Sequence, residues 1–221
     1  RYGHTSVVTN NTIYVMGGHN NNEVNDVWSS IDGGDTWTRI VLNAEWSIRR
    51  ELSSVVYNNK IYVLGGRHSS AYNDVWSSAD GGLTWVEVTP AAAWGVQFGH
   101  TSVVYNNKIY VLGNGEVWSS SDGGVDWIAV TTTPGWGART EHSSEVYDNR
   151  IYVLGGKDGS TFYNDVWSSS DGGINWIEII HTANWNGRYS HTSVVYNNKI
   201  YIMGGYEGTA VNDVWYLTIH H

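Results

Sequence analysis

This sequence predicts an all-β fold, a β-propeller of five repeats with four-stranded antiparallel blades, on three observations. Five tracts align without gaps: HTSVVTNNTIYVMGG from His4, LSSVVYNNKIYVLGG from Leu52, HTSVVYNNKIYVLGN from His100, HSSEVYDNRIYVLGG from His142 and HTSVVYNNKIYIMGG from His191. Their starts lie 48, 48, 42 and 49 residues apart, a period that marks a repeat architecture. Short β-prone runs alternate with turn residues, and no segment sustains a helical period. Finally, all 13 Trp fall on one frame, as triplets nine residues apart: Trp28, Trp37 and Trp46; Trp76, Trp85 and Trp94; Trp118, Trp127 and Trp136; Trp167, Trp176 and Trp185; then Trp215 alone.

The second repeat shows each element in order. Ser53-Ser54-Val55-Val56-Tyr57 is the first strand. Asn58-Asn59 is a tight turn, because Asn tolerates positive φ. Lys60 to Leu64 is the second strand, ended by Gly65-Gly66 and a polar loop. A third strand starts at Asp74-Val75-Trp76-Ser77. Asp80-Gly81-Gly82 turns the chain, and Trp85 to Val88 is the fourth strand. Four antiparallel strands per unit, repeated radially, make a propeller blade. The first two Trp of each triplet pack between blades. The third lies in the connection to the next blade, where a half-exposed ring either packs or meets a ligand.

We read the 221 residues as one domain, with repeats at about 1–48, 49–96, 97–138, 139–187 and 188–219, and His220 and His221 as a tag remnant. A domain of this size buries roughly 70% of its extended-chain surface and needs no disulfide or metal to fold. The absence of Cys removes thiol catalysis and Cys-zinc sites. A net charge of −9 argues against general binding to nucleic acid or an anionic membrane. The apolar runs are too short to span a bilayer. Compartment is left open, with a secreted or periplasmic setting slightly favoured. The fifth repeat has three strands and no fourth. This is expected of a segment cut from a longer chain, and its bare third strand invites pairing with a second copy. The tract from His100 to Tyr110 is repeated letter for letter from His191 to Tyr201, so recent amplification or deliberate design also fits.

The double glycine after strand two, the aromatic on strand three, the Trp on strand four and the leading Arg-x-x-His resemble the kelch repeat family over nearly the whole chain. The hairpin between strands three and four is similar to an Asp-box, S-x-D-x-G-x-T-W. Ser30, Asp32, Gly34, Thr36 and Trp37 fit it, as do Ser78, Asp80, Gly82, Thr84 and Trp85; Asp126 and Asn175 stand at the Thr position of the next two copies. The resemblance implies that this hairpin is structural. Five blades is a departure, since kelch domains more often have six or seven.

Strand direction sorts the loops onto two faces. The Asn-Asn turns and Asp-box hairpins are nearly invariant and share one face. The strand two–three loops and blade connections vary and share the other, so ligand binding is expected there. Arg1, Arg49, Arg139 and Arg188 stand before strand one on that face, with Gln97 in blade three. The resemblance implies that these arginines contact acidic ligands, because guanidinium grips carboxylate in a bidentate fork. The alternative is that each pairs with an acid at the start of strand three: Asp26, Asp74, Asp165 or Asp213, with Glu116 in blade three. His4, His100, His142 and His191 are expected to be structural rather than metal ligands. Blade three deviates through its short Asn114-Gly115-Glu116 loop, which lowers the rim and opens a groove. Glu145 replaces a strand-one Val, and pairing of Glu141 and Glu145 with Arg139 is expected.

The reading reached is a non-enzymatic, cofactor-free propeller that binds a protein or an acidic carbohydrate. Its candidate contacts are Arg1, Arg49, Arg139, Arg188 and Gln97, with Trp46, Trp94, Trp136 and Trp185. Two alternatives stay open: a bare repeat scaffold without ligand, and a sialidase- or sugar-acid-isomerase-like enzyme using Glu51, Glu141 or Glu145 as base. A sialidase lacks its Arg-Ile-Pro motif here, and the absence of Cys excludes a Tyr–Cys oxidase.

Overall fold

A computed structural model describes residues 1–219; the proposed tag remnant, His220 and His221, lies outside the described residues. The fold is an all-β five-bladed propeller, with four strands in each of four blades and three in the last. Blade one contains β1 (Thr5–Thr9), β2 (Thr12–Met16), the small ladder β3 (His19–Asn20) and β4 (Asn22–Glu23), then β5 (Val27–Ser30) and β6 (Thr38–Val41). Blade two contains β7 (Ser53–Tyr57), β8 (Lys60–Arg67), β9 (Ala71–Ser78) and β10 (Val86–Thr89). Blade three contains β11 (Thr101–Tyr105), β12 (Lys108–Gly113), β13 (Glu116–Ser120) and β14 (Ile128–Thr131). Blade four contains β15 (Ser143–Tyr147), β16 (Arg150–Asp158), β17 (Thr161–Ser169) and β18 (Ile177–Ile180). Blade five contains β19 (Thr192–Tyr196), β20 (Lys199–Tyr206) and β21 (Ala210–Thr218). Strands follow one another in sequence order within each sheet, as hairpin connections require.

The strand one–two turns take positive φ at both central residues: Asn58 at 47° and Asn59 at 59°, with the same pattern in every blade. That is the type I′ geometry matched to strand twist. The polar loop expected after strand two is mostly strand. In blade two it closes as a hairpin with Arg67 opposite Ala71, and in blade four with Asp158 opposite Thr161. Blade three reaches the same end with Asn114 (φ 53°) and Gly115 (φ 75°) alone, which is why its loop is short. The second Trp of each triplet sits one residue before strand four rather than on it.

Two compact units make up the chain: Arg1–Tyr110 with Ser119–Ile128, and Val111–Trp118 with the residues from Ala129 onward. In the first unit, Tyr14, Met16, Val27, Trp46, Leu52, Ile61, Val63 and Trp85 form a core cluster from blades one and two. In the second, Tyr152, Leu154, Val166, Trp185, Ile200, Ile202 and Leu217 do the same for blades four and five. Each cluster joins strand-two and strand-three side chains of one blade to strand-two side chains of the next. Burial of roughly 25 cal/mol per Å² of apolar surface is the main stabilising term for such seams. The double glycines let strand two pass close to the start of strand one: a Cβ on Gly66 would lie 2.9 Å from the Arg50 carbonyl oxygen and the Leu52 Cβ.

Candidate ligand-binding face

The second residue before strand one is left-handed in every blade: Gly3, Glu51, Gly99, Glu141 and Ser190 have φ between 54° and 62°. Its amide reaches back to the same position of the previous blade. Glu51 N donates to Gly3 O at 2.7 Å and Gly99 N to Glu51 O at 3.0 Å in the first unit, and Ser190 N to Glu141 O at 2.9 Å in the second. These bonds fix the inner rim of the variable face. Glu51 and Glu141 tolerate a conformation that favours glycine, and both carboxylates are anchored. Glu51 meets Arg67 at 2.7 Å and Arg50 at 3.4 Å, and Arg50 continues to Glu23 at 2.8 Å. Glu141 meets Lys157 at 2.7 Å and accepts the Ser190 hydroxyl.

The arginines before strand one pair within their own blades. Arg49 donates to both oxygens of Asp74 at 2.5 and 2.7 Å and to the Gly65 carbonyl at 2.9 Å. Arg139 takes Asp165 at 2.6 and 3.0 Å, and Arg188 takes Asp213 at 2.6 and 3.0 Å. Arg1 reaches Asp26 through one nitrogen at 2.7 Å. The same acids accept the indole N–H two residues on, as Asp74 does from Trp76 at 2.8 Å. Arg188 and the Trp215 indole hold the Asp213 carboxyl down to about 2. Gln97 is buried and donates to the Trp94 carbonyl at 2.9 Å. Glu116 accepts from the Trp118 indole at 2.8 Å.

The third tryptophans correct the expectation of half-exposed rings: Trp46, Trp94, Trp136 and Trp185 are only 0–5% exposed. Each of the first three meets the second Trp of the next blade edge-on: Trp46–Trp85, Trp94–Trp127 and Trp136–Trp176 have centroids about 6 Å apart. Arg139 is also a correction, since it pairs with Asp165 while Glu141 takes Lys157 and Glu145 accepts the Ser193 hydroxyl at 2.7 Å. Burial pushes the Glu145 carboxyl up, and the Ser193 bond opposes it. The histidines bind neighbouring serines: His100 Nε2 lies 2.9 Å from Ser53 Oγ, and His191 Nε2 lies 3.0 Å from Ser143 Oγ. Among the described residues, no cluster of three or more His, Asp or Glu has metal-binding geometry.

In the second unit Phe162, Tyr189 and Tyr206 form one ring cluster, with centroids 5.0, 5.3 and 6.4 Å apart, and Lys157 Nζ lies 3.8 Å from the Tyr189 ring centre. These rings are half-buried, and Tyr206 is 38% exposed. The sequence reading missed them. Their signal was that Phe162 and Tyr206 are aromatics at positions where the other repeats carry non-aromatic residues, beside Tyr189, whose position is also aromatic as Tyr2 and Phe98. The groove expected at blade three is present, with a volume of about 370 Å³ between Asn114-Gly115 and the stretch from Thr132 to Ala138.

A family described as the KLHDC2/KLHL20/DRC7 Kelch-repeats domain matches residues 1–114 and 119–221. This chain belongs to the kelch-repeat family. The stretch the match leaves out, 115–118, falls at the shortened loop of blade three. No curated protein matches the chain.

Proposed function

We propose that this kelch propeller is a non-enzymatic binding module that holds a protein segment on its variable face. The observation that carries the reading is the cluster of Phe162, Tyr189 and Tyr206 beside Lys157. Half-buried tyrosines backed by a rigid sheet give large contact area at little entropic cost and dominate the energetics of protein interfaces. The hydroxyls and backbone of the blade-three groove supply adaptable hydrogen bonds. The arginines support this face from beneath. With both Asp74 oxygens on Arg49, a ligand carboxylate would have to displace an existing charge pair. The preferred ligand is therefore one with an apolar or aromatic anchor rather than an acidic sugar.

Selection from a phage-displayed random peptide library, beside a glycan array, tests this. Peptides carrying an aromatic or aliphatic anchor are expected to enrich, and Tyr206→Ser should weaken their binding at least tenfold with an unchanged melting temperature. Enrichment on the glycan array alone, or peptides that bind Tyr206→Ser equally well, would overturn it.

A further inference from the structure

Blades one, two and four tie the start of strand three to the connection after strand four through one asparagine. Asn25 Nδ2 donates to the Ala44 carbonyl at 2.9 Å, Asn73 to that of Ala92 at 2.9 Å and Asn164 to that of Ala183 at 3.2 Å. Asn25 and Asn164 also reach the carbonyls of Trp46 and Trp185, at 2.8 and 2.9 Å. The connection returns a bond through its backbone. Ala44 N donates to Asn25 O at 3.0 Å, Ala92 N to Asn73 O at 2.9 Å and Ala183 N to Asn164 O at 3.2 Å.

Blade three lacks both halves of this clamp. Gly115 precedes Glu116 where the asparagines precede Asp26, Asp74 and Asp165. Pro134 stands where the other three blades have Ala, and its nitrogen carries no hydrogen to donate. The chain cannot refill the place from Gly115. A Cβ there would lie 3.0 Å from Ala138 N, and φ is 75°. Arg139 takes the Trp136 carbonyl at 2.8 Å, so the carbonyl left without its clamp donor is that of Pro134. The groove of about 370 Å³ lies at this place, with Pro134 buried in its wall and Thr132 and Thr133 exposed at its edge. These residues all belong to the second unit.

We propose that this groove receives the carboxamide side chain of an Asn or Gln from the bound protein segment. Its NH2 group donates to the Pro134 carbonyl, as Asn25, Asn73 and Asn164 donate to the alanine carbonyls of their own blades. The Thr132 and Thr133 hydroxyls donate to its oxygen. An ionised carboxylate of the same shape has no donor for the carbonyl, and an apolar side chain satisfies neither group, so the groove selects amide over acid and alkyl. The inference rests on the proposed function and deepens it: the aromatic cluster holds an anchor, and the groove sets a second residue of the segment.

Amide nitrogen–proton spectra of the labelled protein, titrated with acetyl-Ala-X-Ala N-methylamide peptides, test it. With X as Asn or Gln, the amides of Asn114, Gly115, Thr132 and Thr133 should shift. The Kd should be lower by about tenfold or more than with X as Asp, Glu or Leu. Thr133→Trp, which fills the groove from its edge, should abolish these shifts. So should a graft of Gly66 to Asn73 in place of Asn114-Gly115, which restores a clamp asparagine. If the graft fails to fold, Thr133→Trp alone decides. Tyr206→Ser should leave the shifts unchanged, because the peptides carry no anchor for the aromatic cluster. Equal shifts for every X, no shifts at all, or shifts that survive Thr133→Trp overturn the inference. Each of these results leaves the Tyr206 dependence of anchored peptides standing, so a failed groove and a failed peptide-binding face give different outcomes.

Discussion

Arg49 has no exposed side-chain surface and spends its guanidinium on Asp74 and the Gly65 carbonyl. Arg49→Ala therefore leaves a mostly buried carboxylate without its partner, and the expected cost is about 3–5 kcal/mol. Urea denaturation should show this loss for Arg49→Ala and Arg139→Ala and a smaller one for Arg1→Ala, whose side chain is 19% exposed and makes a single bond to its acid. Acid has a separate effect through the histidines. Burial holds His100 and His191 at about 4 against an ordinary 6.5, so the unfolded chain binds more protons between those values. Their contribution is complete above pH 6.5 and is lost as pH falls toward 4, at about 3 kcal/mol for each ring. Thermal melts across that window should show the slope, and His191→Leu should flatten it. Leu52 already occupies this position in blade two. The pairing was legible in the sequence as one of two options. Spacing alone could not decide between a clamp and a pair, because both need an Arg near the rim.

The Asp-box-like hairpin is an element whose wiring followed from its letters. Asp80 accepts from Ser78 Oγ at 2.8 Å, from Thr84 N at 3.0 Å and from Thr84 Oγ1 at 2.6 Å, and Trp85 Nε1 donates to Gly82 O at 3.2 Å. In the third copy Asp126 replaces that Thr, so Asp122 keeps the backbone bonds and loses the hydroxyl donor. Asp126→Thr should therefore raise stability by about 0.5–1 kcal/mol, measured as a shift in the urea midpoint. The Asn-Asn turn was equally readable, since few residues accept two successive positive φ values. Strand ends were less so. The stretch after Gly65-Gly66 looks like loop because it is polar, yet its residues pair across the hairpin as Gly66 with Tyr72 and Arg67 with Ala71. Backbone pairing needs no apolar pattern, so periodicity does not reveal it.

At the scale of the whole molecule, identical letters have different surroundings. Val103 and Val194 occupy the same place in two identical eleven-residue tracts, yet one is 8% exposed and the other 44%. Burial here belongs to the surroundings and not to the residue, so the sequence showed the blades but not the exposure of each copy. The outer edge of β21 should accordingly exchange its amide hydrogens fastest among the blade strands. The edge-on indole pairs have an optical consequence. Two indoles about 6 Å apart with planes 82–88° from parallel couple their excited states and produce a paired positive and negative signal in the aromatic circular dichroism. Three such pairs make the amplitude a count of intact seams. Blade five brings no second or third tryptophan after Trp215, so the seam between blades four and five adds nothing to the amplitude. The couplet therefore reports opening along the first four blades and is silent on detachment of blade five, a separation of two processes that melting temperature alone would mix.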